Sequence, residues 1–147
     1  RFYYGAYSQG ATGADDRTHI SGIGMASVPL DRLAGIVSVE RLELPAQSGA
    51  LEGVGQITLK AQDLAGRERL LLNTDAAKGA VRVEILDRAG RRVRGFSRED
   101  SVPVCENVLE QSVSWREKSL ADLPAEEYMM RLHLERAAVY ALRLVGA

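Results

Sequence analysis

The chain is short of the residues that most chemistry depends on. It holds one cysteine and two histidines in 147 residues. The lone Cys105 rules out an intrachain disulfide, so cysteine usage leaves the redox compartment open. Two histidines and one cysteine, with no H-E-x-x-H and no C-x-x-C, fit none of the usual zinc patterns. Aromatic residues make up only 5%, too few for an obvious row of sugar- or base-stacking rings. The formal net charge is -1, without the basic excess of a nucleic-acid binder. No apolar run approaches the roughly 20 residues that cross a bilayer, and no signal peptide is visible. There is no G-x-S-x-G elbow. The Gly-containing run Ser8–Asp16 lacks the Lys-Ser/Thr and following helix of a phosphate loop. No cofactor, metal, nucleic-acid or membrane partner is expected.

What is present is the grammar of β-structure. Val81, Val83 and Ile85 alternate with Arg82 and Glu84, the period of a half-buried strand. Asp87-Arg88-Ala89-Gly90 then supplies a turn ending in Gly, and Arg92 to Phe96 is expected to return as the second strand of a hairpin. Further strands are expected over residues 1–8, 20–30 (with Pro29 ending it or marking an edge), from Gly35 through GIVSVERLEL, 55–61, 69–74 and 109–115. The intervening turns fall at roughly the 8–12-residue spacing of sandwiches.

The last segment, AEEYMMRLHLERAAVYALRL, is a conflict. By intrinsic propensity it is the best helix in the chain, and Pro124 stands where a first turn would begin. Alternation fits it better. Tyr128, Met130, Leu132 and Leu134 would share one face, and Arg131, His133 and Glu135 the solvated other. Glu135–Ala138 would turn the chain into a final strand whose Tyr140, Leu142 and Leu144 point inward. A helix would scatter its polar residues over several faces, so two strands are expected.

The fold class expected is all-β, a two-sheet antiparallel β-sandwich of jelly-roll or concanavalin-like type with about nine strands. Its core should contain Ile57, Leu59, Val81, Val83, Ile85, Val113, Trp115, Leu132, Leu134, Tyr140, Leu142 and Leu144. At this length one core can be buried without staples. Trp115 shares a strand face with Leu109 and Val113, which argues for burial over a sugar-stacking platform. Phe96 reads as a packing residue, and Cys105 as a buried one. Adjacent carboxylates such as Asp15-Asp16, Glu99-Asp100 and Glu126-Glu127 point apart in extended chain, so adjacency alone builds no acid/base pair. Arg98–Ser101 could offer oxygens to a calcium ion, though without the ligand series of an EF-hand.

IGMASVPLDRLAGIVSV, VRVEILDRAGRRVRGFSRED, SVSWREK and LHLERAAVYALRL together resemble the C-terminal β-sandwich of bacterial glycoside-hydrolase-like proteins whose catalytic domain is a five-bladed β-propeller. The similarity runs from about Ile20 to the end. It implies that residues 1–19, with Tyr3-Tyr4-Gly5, close the last propeller blade, and that residues 20–147 are the sandwich. The catalytic carboxylates of that family would lie upstream, so the resemblance assigns no catalytic residue here. It implies the propeller of the same chain as partner, in a secreted or periplasmic parent. The non-standard start at Arg1 likewise reads as a piece of a longer chain. Residues 9–19 form a Gly-, Ala- and Asp-rich loop, and loops on rigid scaffolds often carry function. Tyr7, Asp15, Asp16, Arg17 and His19 are therefore the candidate carbohydrate contacts. Three functions stay open: a non-catalytic module stabilising the propeller, an autonomous carbohydrate-binding module, or a protein-interaction sandwich. An exposed apolar patch, a groove of exposed aromatics, or self-association through a sheet edge would tell them apart.

Overall fold

A computed structural model of the chain describes residues 1–7, 21–38 and 53–146. The described residues are all-β, with ten strands and a single short 3-10 turn, Leu120–Asp122. No helix among them is long and apolar enough to cross a membrane. They form two compact units, 1–30 and 31–147.

The first unit is a ribbon of β1 (Phe2–Tyr7) and β2 (Ser21–Ala26), paired antiparallel from Phe2↔Ala26 to Tyr7↔Ser21. The strand expected over residues 20–30 thus pairs with the N-terminal strand.

The second unit is the sandwich. One sheet has the order β3 (Ile36–Val37), β10 (Ala138–Gly146), β6 (Arg67–Asp75), β8 (Asn107–Ser112). In the other, β9 (Glu127–Glu135) lies between β7 (Ala80–Leu86) on one side and β4 (Val54–Thr58) with β5 (Gln62–Asp63) on the other. The alternation read in the sequence drives this assembly. Leu70 and Leu72 from the first sheet meet Val81, Val83, Ile85, Met130, Leu132 and Leu134 from the second, all but excluded from solvent. The helix-prone C-terminal segment is two strands, because burying that alternating face outweighs local propensity. Trp115 and Phe96 complete the core edge-to-face, with ring centroids 5.0 Å apart.

Two short connections cross between the sheets at one end. β6 leads to β7 through Ala76–Gly79, and β9 leads to β10 through Arg136, whose φ of 42° is left-handed. The corners pack so closely that a Cβ on Gly79 would stand 1.8 Å from the Glu135 carbonyl oxygen. Only glycine fits there.

Several expectations are corrected. Residues 92–96 are not a strand: Arg92 makes an isolated bridge to Leu86, and Phe96 lies one hydrogen bond from Ile85. Cys105 is exposed, because the stretch is not a regular strand: its buried positions, Ser101 and Val104, are three residues apart. Leu109 is 44% exposed and Tyr140 only half-buried. Both errors have one cause: β8 and β10 each shift register opposite Asn73. A bulge inserts one residue and reverses the parity on which face assignment rests. Val139 therefore enters the core ahead of the shift, and Leu142 and Leu144 beyond it.

Candidate functional site

Tyr7 closes β1 opposite Ser21, and its side chain falls outside the described residues. Asp15, Asp16, Arg17 and His19 also lie outside them. The calcium candidate has its carboxylates engaged by neighbouring side chains. Asp100 Oδ2 accepts from the Ser97 amide and hydroxyl (3.1 and 2.7 Å), and Glu99 faces Arg92 at 3.6 Å. Among the described residues no cluster of three metal-ligating side chains occurs.

The outer face of β9 holds a polar group that alternation misjudged. His133, expected in solvent, is 4% exposed and lies beside Glu84, which is fully buried. His133 Nε2 is 3.2 Å from Glu84 Oε2, Arg92 Nε is 2.9 Å from Oε1, and Arg131 Nη1 is 3.7 Å from Oε2. His133 Nδ1 has no partner. Burial pushes the His133 pKa down; Glu84 opposes this, and the nearby Arg98 and Arg131 add to it. The sequence gives the face of each residue, but not that residues 92–104 fold back along β7 and cover it. A carboxylate with no exposure cannot reach a substrate. Its evident work is to anchor Arg92, and with it the covering segment.

That segment seals the edge of β7 in an unusual way. Val81 and Ile85 hydrogen-bond to backbone, of Val104 and of Phe96 and Val93. Val83 between them is met by side chains: its amide donates to Ser101 Oγ at 3.0 Å, and its carbonyl accepts from Trp115 Nε1 at 2.9 Å.

At another border of the sandwich the sheets part into an apolar cleft of about 320 Å³. Ile57, Leu59 and Leu132 form one wall, and Ile36, Tyr140 and Leu142 the other. Arg32 bolts the segment leading into β3 in place. Its guanidinium donates to Asn73 Oδ1 (2.8 Å), Asn107 Oδ1 (2.7 Å) and the carbonyls of Thr74 (3.1 Å) and Val108 (2.9 Å). It also stacks 4.7 Å above the Tyr140 ring. The bulges beside Asn73 thus create the acceptors and the ring that this arginine needs. Beyond the bolt, Leu33, Ile36 and Val37 are 74%, 56% and 60% exposed. This apolar rim and cleft suit packing against another apolar surface; among the described lining residues Tyr140 carries the one titratable side chain.

No protein-family model, no curated protein and no solved structure matches this chain.

Proposed function

We propose that the chain is a non-catalytic β-sandwich module of a glycoside-hydrolase-like protein, with residues 1–30 belonging to the sheet of a neighbouring catalytic domain. The observation that carries this reading is the β1–β2 ribbon. Its register puts Tyr3, Met25 and Ile23 on one face, and Phe2, Tyr4 and Ala26 on the other. Phe2, Tyr3, Tyr4, Ile23 and Met25 are between 46% and 85% exposed. A ribbon of two strands is marginal in water, and one that is apolar on both faces calls for packing on both. The exposed rim at Leu33, Ile36 and Val37 supports a second packing surface on the sandwich itself. The link to glycoside hydrolases rests on the resemblance of the sandwich strands. In this reading the sequence between β1 and β2, with Asp15, Asp16, Arg17 and His19, is offered to the carbohydrate of the neighbouring domain.

Amide hydrogen exchange on the 147-residue chain tests the proposal. Amides of Phe2–Tyr7 and Ser21–Ala26 should exchange at least about a hundredfold faster than those of β6 and β9, which open only with the whole core. Equal protection would show a ribbon that needs no neighbour. Turnover of aryl glycosides by the purified chain, abolished by a point substitution in it, would overturn the non-catalytic assignment.

A further inference from the structure

The outward face of the β3-β10-β6-β8 sheet carries a charge pattern at odds with the chain as a whole. On β6, Arg67, Arg69 and Leu71 point away from the core, alternating with the buried Leu70 and Leu72. Across the ladder Arg143 stands beside Leu71, Val145 beside Arg69 and Gly146 beside Arg67, while Ser112 flanks Leu71 on the other side. Arg69, Leu71, Ser112, Arg143, Val145 and Gly146 line a trough of about 800 Å³. Glu110 enters it from β8 and is held by the Arg143 guanidinium, both side chains being more than half exposed. Gly146 has no side chain, so Arg67 lies against it: Nη1 is 3.8 Å from where a Cβ would stand. Arg67 and Arg69 make no ion pair among the described residues. Two lining arginines, Arg69 and Arg143, against Glu110 leave the trough with one net positive charge, on a chain whose formal total is -1.

We propose that this trough binds an acidic carbohydrate, with a sugar carboxylate taken by Arg69 and Arg143. The inference is independent of the packing role above. A guanidinium fork matches a carboxylate in two parallel hydrogen bonds, and Arg143 already holds one in Glu110. When a sugar carboxylate takes that place, Glu110 is freed to accept from a hydroxyl, beside the Ser112 hydroxyl. Leu71 is 8% exposed and supplies an apolar floor for the carbon face of a sugar ring. Single-stranded nucleic acid would call for stacking rings, and no aromatic residue lines the trough. An arginine pair can also take an acidic peptide, but the flanking Ser112 and Glu110 suit the hydroxyls of a sugar, and the test below separates the two.

The test titrates the 147-residue chain at low salt with trigalacturonate, and in parallel with the neutral maltotriose, following backbone NMR shifts. Trigalacturonate should shift the amides of β6, β8 and β10 saturably, and maltotriose should not. The double substitution Arg69→Ala with Arg143→Ala should weaken binding at least about tenfold, with an unchanged melting temperature showing that the fold is intact. Glu110→Gln should strengthen it several-fold by releasing Arg143. No binding, equal binding of the neutral sugar, or binding indifferent to the double substitution would overturn the site. A triglutamate peptide or inorganic phosphate matching trigalacturonate in affinity would overturn the carbohydrate assignment.

Discussion

Trp115→Phe probes how the edge of β7 is held. Trp115 is 3% exposed, touches Phe96 edge-on, and donates its indole N–H to the Val83 carbonyl at 2.9 Å. Phenylalanine keeps a ring against Phe96 but removes the donor. The buried Val83 carbonyl then loses its partner, at about 1–3 kcal/mol. The missing part of the indole leaves a small cavity worth about 1 kcal/mol more. The expected loss is therefore about 2–4 kcal/mol, a large share of the roughly 5–15 kcal/mol that holds a domain together. Trp115→Ala adds a truncation of about 3–5 kcal/mol and should not accumulate as folded protein. Trp115 is the sole tryptophan, so its blue-shifted emission reports this site in the parent chain, while circular dichroism in urea follows the variants. A second substitution, Ser101→Ala, removes the partner of the Val83 amide. The two should couple by more than about 0.5 kcal/mol in a double-mutant cycle, because they serve one peptide unit. A cost below about 0.5 kcal/mol for Trp115→Phe, with the urea slope unchanged, would refute the reasoning.

Stability should fall as pH drops below the ordinary histidine value of 6.5. His133 has its pKa lowered in the folded chain, so the unfolded chain binds its proton first. Melting temperatures from pH 8 to 5 should show this decline, and His133→Gln should flatten it; a rise toward pH 5 would contradict it. A separate decline belongs below about pH 4, where carboxylates held low are protonated: Asp87 by the Arg91 amide, Asp100 by the Ser97 hydroxyl and Asp122 by the Ser119 amide. Gly79→Ala should cost at least about 2 kcal/mol, since the added methyl meets backbone rather than a movable side chain; chemical denaturation that finds it neutral would show that the corner can open. Arg32→Ala should cost about 2–3 kcal/mol in the same assay, and Arg32→Lys should recover little of it, because one ammonium cannot satisfy four divergent acceptors.

The core strands were legible because each carries its own alternation. Val81, Val83 and Ile85 announce a buried face, and so do Met130, Leu132 and Leu134, and all six are buried. Alternation fails at two kinds of place. A bulge leaves no mark in a local pattern, so Leu109 and Tyr140 were put on the wrong face by residues elsewhere in the ladder. Coverage is not local either: parity gives the face of His133, but the segment that buries it, residues 92–104, comes from about thirty to forty residues earlier in the chain. The apolar rim at Ile36 and Val37 and the arginine trough were invisible for the opposite reason. Each residue is ordinary alone, and only pairing across strands gathers them.

The side-chain sealing of Val83 has a consequence for how this chain could go wrong. A strand edge covered by another strand is lost only when that strand detaches. Here the middle of the edge depends on one hydroxyl and one indole, so a single substitution at Ser101 or Trp115 uncovers an amide or a carbonyl on an otherwise standing sheet. The nearest group able to satisfy it is an extended segment of another molecule. Ser101→Ala and Trp115→Phe should therefore assemble into β-aggregates while still largely native, rather than by way of the unfolded chain.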